Sequence, residues 1–285
     1  MAETVNRDDA QALIDAGRLA TSRDAAAAAH LLTRSLEFLA VDDPLRKEVV
    51  LELIPLATWG GRARQAETLA RDELPSADPE RDAILRMHLA EAIGMQDRWS
   101  EAATMWAELH DDAAVSDRVR LRARAERASA LAFCRDIGRA RAIAQEVLSE
   151  SKSSRDETAR FLALHSLGAC LFFEGRCEEA VSIAEELVEI ADASDDVRLS
   201  WRNPRLFYGV ALTAAGQLAQ ASSVLHDGRE LARRTGALWA MPAYQCYIAL
   251  LSYREGRWKD AVAECEEGLR LCEASDATME LATDA

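Results

Sequence analysis

The chain has 285 residues, of which 49% are apolar and six are proline, and its formal net charge is −15. That composition excludes a disordered chain, which lacks the apolar content to bury a core. The charge argues against nucleic acid as a partner, because phosphate contacts need a positive surface.

Alanine is abundant, β-branched and aromatic residues are sparse, and no long stretch alternates with period 2, so the expected fold class is all-α. The opening "MAETVNRDDAQALIDAG" is acidic and lacks the apolar core of a signal peptide. No apolar run approaches the ~18 residues of a membrane span. A cytoplasmic protein with no membrane partner is the expectation.

In chain order, helix pairs are expected at 8–20 with 24–40, 43–59 with 62–74, and 79–96 with 99–113. They continue at 116–136 with 139–151, 155–174 with 177–192, 203–215 with 217–234, and 238–255 with 257–273. Residues 274–285 read as a tail or the start of a truncated repeat, and nothing in the composition divides 1–285 into more than one domain. Asn203-Pro204 has the pattern of a cap followed by proline at the first helical position. "DASDDVRLSWR" before it is the longest irregular connection. The basic stretch "RVRLRARAER" spreads Arg118, Arg120, Arg122, Arg124 and Arg127 around a helix, the pattern of a solvated, ion-paired face.

The pairs repeat one grammar. "GGRARQAETLA" from Gly60, "EGRCEEAVSIA" from Glu174, "AGQLAQASSVL" from Ala215 and "EGRWKDAVAEC" from Glu255 each carry a glycine and, five residues on, an alanine. "QDRWSEAATMW" from Gln96 and "IGRARAIAQEV" from Ile137 are degenerate copies. The alanines then fall at Ala66, Ala102, Ala142, Ala180, Ala221 and Ala261, with spacings of 36, 40, 38, 41 and 40. A period near forty with a fixed internal grammar is a solenoid signal. Gly168, Gly209, Gly228 and Gly268 stand within helices, where glycine costs ~0.5–1 kcal/mol relative to alanine. Close approach of a neighbouring helix explains why they are kept. The turn glycine suits the left-handed cap that ends the first helix of a pair.

These residues resemble the tetratricopeptide repeat, with helices longer than its standard unit. "RTGALWAMPAYQCYIALLSYREGRWKDAVAECEEGLRLCE" (234–273) and "LTRSLEFLAVDDPLRKEVVLELIPLATWGGRARQAETLARDEL" (32–74) are further similar to the helical-repeat segment of large ATP-binding LuxR-family regulators, the MalT-like group common in actinobacteria. The resemblance implies a right-handed superhelical solenoid of about six to seven antiparallel helix pairs. It also implies a regulatory segment that senses an effector or partner, or self-associates, to control transcription. In that family the segment lies between an ATPase module and a helix-turn-helix. Neither motif occurs here, so the chain reads as a piece of a longer protein.

Chemistry-bearing patterns are sparse. His30, His88, His110, His165 and His226 show no metal spacing, and none of the six cysteines forms Cys-x-x-Cys. The cysteines read as reduced, mostly buried small hydrophobes. No Gly-x-Ser-x-Gly elbow or phosphate loop occurs, so no enzyme activity, cofactor or metal is expected.

A solenoid binds through its concave wall, which the first helix of each pair lines. Aromatic and arginine side chains cluster in the last two pairs, and rigid rings beside a charged fork suit a recognition groove. The groove candidates are Trp201, Arg202, Tyr208, Trp239, Tyr244, Tyr247 and Arg254. Packing within or between repeats competes for Trp201, Tyr208, Trp239 and Tyr244. Trp99 and Trp258 read as packing wedges, and Trp59 as stacking on the next pair. The expected partner is a protein, a peptide or a small effector, with homodimerisation open. A free-standing interaction scaffold with no transcriptional role is the alternative.

Overall fold

The computed structural model describes residues 2–274, which form fifteen α-helices and two 3₁₀ turns, with no strand among the described residues. In chain order these are α1 (Ala2–Ala20), α2 (Ala25–Ser35), α3 (Pro44–Trp59), α4 (Ala63–Glu73), α5 (Pro79–Gly94), α6 (Trp99–Asp111) and α7 (Asp117–Phe133). There follow α8 (Ile137–Ser154), α9 (Glu157–Phe173), α10 (Cys177–Ala193), α11 (Val197–Trp201), α12 (Pro204–Ala214), α13 (Leu218–Thr235), α14 (Met241–Arg254) and α15 (Trp258–Ala274). Successive helices pack as antiparallel pairs, and the pairs stack into an all-α solenoid. The tail expected at 274–285 lies, beyond Ala274, outside the described residues.

Local chemistry sets the helix ends. Asp24, Asp43, Asp78, Asp136, Asp156 and Asp196 each accept a backbone N–H at a helix start. Proline opens α3, α5 and α12. In every pair after α1–α2 the first helix ends in a left-handed residue, whose successor donates to the carbonyl five positions back, as in Gln217 N to Leu212 O at 2.9 Å. Glycine fills that position at Gly61, Gly175, Gly216 and Gly256. Asp97 and Arg135 adopt it without being glycine, each at φ 64°. The Asp97 carboxylate accepts from Trp99 Nε1 at 2.7 Å, and the Arg135 guanidinium lies 3.8 Å from the Phe173 ring centroid.

The Arg135 turn corrects the register of the fourth repeat. Five residues beyond it stands Ala140, fully buried, whereas Ala142 is exposed and Gly138 lies inside α8 with open space around it. The glycine of "IGRARAIAQEV" is therefore not the turn residue. The packing alanine is Ala140, and twelve residues before it is Ala128, also fully buried. Ala66, Ala102, Ala180 and Ala221 are fully buried too, and Ala261 is nearly so. A Cβ added to Gly168 would meet the Phe207 ring at 2.7 Å, one on Gly209 would meet Leu225 at 2.4 Å, and one on Gly228 the Tyr244 hydroxyl at 2.4 Å. At Gly268 the nearest neighbour, Gln245 Cβ, leaves 3.3 Å.

The connection before Pro204 is ordered by α11 and by Asn203. Asn203 takes the N-cap position of α12 ahead of Pro204, as expected, but its side chain makes no capping hydrogen bond. It sits buried in the left-handed region at φ 52°, its amide donates to Trp201 O at 3.0 Å, and its Oδ1 accepts from the Tyr244 hydroxyl at 3.3 Å. The cysteines also depart from expectation. All are free, but only Cys170 is buried, and Cys134 and Cys265 are exposed. Trp258 is exposed rather than wedged, because it lies on α15 with Val262 and Leu269 on a face that no described helix covers.

The stack curves until its last repeat meets its first two. A Cβ on Gly236 would lie 2.5 Å from Ala26 N, and one on Gly61 would lie 3.5 Å from Trp239 N. Ala25, Ala28, Leu53, Trp59, Trp201 and Ala237 share one buried cluster. Trp59 packs edge-on against Trp239, with centroids 5.9 Å apart, so its ring partner belongs to the last repeat, while Met95 of the following pair packs against the same cluster. This closure turns the concave wall into a partly enclosed space.

Candidate effector cavity

A cavity of about 150 Å³ lies inside the curve. Residues from the α3–α4 turn (Trp59, Gly61), from α5 and α6 (Glu91, Met95, Trp99, Trp106), from α7 (Glu126, Ser129, Phe133), and from α9 (His165) line it. Arg202 and the last repeat (Trp239, Pro242, Ala243, Tyr247) complete the lining. Its walls are mostly apolar and carry the rings of Trp59, Trp99, Trp106, Phe133, Trp239 and Tyr247, and one side holds a buried charge cluster.

Arg202 is the centre of that cluster. Its Nη2 donates to Glu91 Oε1 at 2.8 Å and also to Glu126 Oε1, while Nη1 reaches Glu126 Oε2 at 3.4 Å. The guanidinium carbon lies 4.7 Å from the Trp59 ring centroid, a cation–π contact. Side-chain exposure is 18% for Arg202, 11% for Glu91 and 5% for Glu126, so solvent screens these charges little. Two carboxylates thus share one guanidinium. Burial pushes Glu126 up to about 7, with the Glu91 charge adding to the effect against the pull of Arg202. Burial pushes Glu91 the same way, but the hydrogen bond and charge of His88 together with Arg202 outweigh it and hold Glu91 below the ordinary carboxylate range. Burial lowers His165 to about 4, and Arg202 assists, so this ring is neutral at physiological pH.

The groove candidates separate on this geometry. Arg202, Trp239 and Tyr247 line the cavity. Trp239 Nε1 also donates to Trp201 O at 2.7 Å, fixing the indole at the closure. Trp201, Tyr208 and Tyr244 instead belong to the packed interior, at 2%, 7% and 0% exposure, and do not line the cavity. Tyr208 packs between α10 and α13 and bonds Glu185 and Gln220, Tyr244 fills the space above Gly228, and Trp201 is buried in the cluster at the closure. Arg254 is exposed and hydrogen-bonds Thr213 O at 2.9 Å, tying α14 to α12 away from the cavity. Arg118, Arg120, Arg122 and Arg124 form ion pairs with Asp117, Asp156, Glu146 and Glu150.

Glu91, Glu126, His165, Trp106 and Phe133 were absent from the expected site. A signal for them existed in the repeat register. With Ala128 as the small residue of the fourth repeat, His88, Glu126 and Tyr247 each stand two residues before the small residue of their own repeat, and Glu91 and Ser129 one residue after it. The misplaced Ala142 concealed this equivalence.

Among the described residues no group of three His, Cys, Asp or Glu side chains suits a metal ion, and no helix is long and apolar enough to cross a membrane.

No protein-family model matches the chain, and neither does any curated protein. Solved structures do resemble it. A Rap protein complexed with competence and sporulation factor aligns at TM-score 0.65 and 11% identity, over 95% of this chain and 77% of that one. Bacillus thuringiensis PlcR, in complex with the peptide PapR7 and DNA, aligns at TM-score 0.60 and 14% identity, over 76% and 81%. NprR, with its cognate peptide NprX, aligns at TM-score 0.58 and 13% identity, over 87% and 76%. At these identities the likeness is one of fold. The fold is a tetratricopeptide-like helical repeat.

Proposed function

We propose that this chain is the effector-sensing repeat segment of a regulator. Its occupant, a peptide, a protein segment or a small molecule, binds in the cavity at the centre of the curve, and the segment performs no catalysis. The observation that carries this reading is the enclosure itself. Residues from repeats two, three, four, five and seven line one space, and Arg202, which precedes the sixth, bonds the third and fourth and lies over Trp59 of the second. An occupant contacts helices distant in sequence and so biases how tightly the superhelix closes, which is how binding at one place changes the shape of the whole.

Peptide complexes of two proteins with this fold, and the complex of a third with competence and sporulation factor, support a peptide or protein partner. The sequence resemblance to MalT-like LuxR-family regulators supports a cytoplasmic transcriptional role within a longer chain. Four cavity tryptophans, Trp59, Trp99, Trp106 and Trp239, provide the test. Screening pools of short peptides and metabolites by thermal shift and tryptophan fluorescence is expected to find an occupant that raises Tm and alters the emission. A chain whose Tm and emission respond to no pool would overturn the proposal.

A further inference from the structure

We propose that the cavity accepts a small organic cation, an amine or amidine on an apolar body, which pairs with Glu126 and lies against the aromatic walls. This inference rests on the effector-binding reading above and names the chemistry of the occupant.

The charge count motivates it. Glu91, Asp97, Glu126, His165, Arg202 and Tyr247 are the ionisable residues of the lining, and burial raises the Tyr247 phenol and keeps it neutral. His165 is neutral and Arg202 is already held by both glutamates. Glu91 and Glu126 share that one guanidinium, and Glu91 has His88 besides at 2.9 Å. Glu126 has no second basic partner among the described residues, so burial leaves its charge the least compensated and the lining with a negative surplus when it is ionised. A cation offsets that surplus, and an anionic occupant adds to it. Charges of both signs surround Glu126: Glu91 is acidic, and Arg202, with His88 and Arg198 bearing on Glu91, supplies the opposing charge, while Asp97 stands elsewhere in the lining.

The walls point the same way. Trp59 already carries one organic cation on its face, the Arg202 guanidinium. Trp99, Trp106, Trp239 and Tyr247 extend the same aromatic lining, and aromatic enclosures select quaternary and substituted ammonium groups over neutral ones. A volume of about 150 Å³ holds a group of about benzene size, so what enters is one residue-sized group. That group is either a free amine or the basic side chain of a peptide. When Glu126 holds a proton, arrival of the ammonium releases it to solvent and leaves an ion pair.

The test uses benzylamine, benzyl alcohol and benzoate at pH 7.5, with binding followed by calorimetry and thermal shift. Benzylamine is expected to bind at least about tenfold more tightly than benzyl alcohol, and benzoate not to bind. Glu126→Gln is expected to erase that preference while the protein stays folded. Equal binding of the alcohol, tighter binding of benzoate, or an unchanged preference in Glu126→Gln overturns the cation. In the first two cases the cavity still takes an effector and the broader reading survives. A capped Ala-Lys-Ala tripeptide beside its norleucine counterpart separates the two sources. Preference for lysine assigns the cation to a peptide side chain, preference for benzylamine alone assigns it to a free amine, and no preference in either series overturns the proposal.

Discussion

Arg202 Nη2 lies 2.8 Å from Glu91 Oε1 although 111 residues separate the two in sequence. The same guanidinium also bonds Glu126, 76 residues distant. Truncating one member of such a buried cluster strands the others. Arg202→Met is expected to cost ~3–5 kcal/mol because two carboxylates then lose their only guanidinium. Adding Glu91→Gln and Glu126→Gln to it should recover most of that loss. Urea denaturation of the single and triple variants at pH 7.5 measures both effects.

The cluster also gives stability a pH dependence with a definite sign. Glu126 rises from 4.5 to about 7 on folding, so the folded state holds this proton more tightly than the unfolded chain. The stabilisation is complete below 4.5 and is lost as pH climbs to about 7. Glu126→Gln keeps the neutral form at all pH. Its advantage over the parent is expected to grow between pH 5 and 7 to ~1–3 kcal/mol and to disappear below pH 5. His165 acts in the opposite direction. Its pKa falls from 6.5 to about 4 on folding, so its contribution is lost as pH drops through that interval. Thermal melts from pH 4 to 8 of the parent, Glu126→Gln and His165→Gln separate the two limbs.

Helix contacts at glycine are graded by the space left to a methyl group. Gly209→Ala drives a methyl into Leu225, 2.4 Å away and fully buried, and is expected to cost ~1–3 kcal/mol through overpacking. Gly268→Ala meets Gln245 at 3.3 Å and gains helix propensity of ~0.5–1 kcal/mol, so it should be near neutral. Equal effects of the two in a denaturant titration would remove close approach as the reason for Gly209.

Trp239 closes the ring through its Nε1 bond to Trp201 O and its edge against Trp59. Trp239→Phe keeps a ring there but loses the donor and is expected to cost ~1 kcal/mol. The loss should appear first as faster amide exchange in α2 and in the 236–240 segment, which the closure covers.

Much of the fold was readable because the repeat is written in small residues at fixed distances. Gly61, Gly175, Gly216 and Gly256 announce the left-handed turns, and alanines five residues on announce the packed helices. Where the signal failed, the structure gives the reason. Arg135 takes the left-handed position at φ 64°, and nothing in an arginine advertises that. Gly138 then offered a false register that moved the packing position from Ala140 to Ala142. The cavity was only partly legible. Aromatic clustering pointed to Arg202, Trp239 and Tyr247, but it equally drew in Trp201 and Tyr244, because periodicity within one repeat does not report where the seventh repeat folds back. Glu91 and Glu126 become site residues only through that return, since their partner comes from a remote part of the chain.

The junction of Gly236 with Ala26 bears on how this molecule is made. A ribosome adding ~5–20 residues each second completes the first hairpin roughly 10–40 seconds before the segment that must cover it emerges. Until then Ala25, Ala28 and Leu32 lack their final neighbour. Most linear repeat arrays can mature unit by unit from either end, whereas here the earliest hairpin and the last finish together.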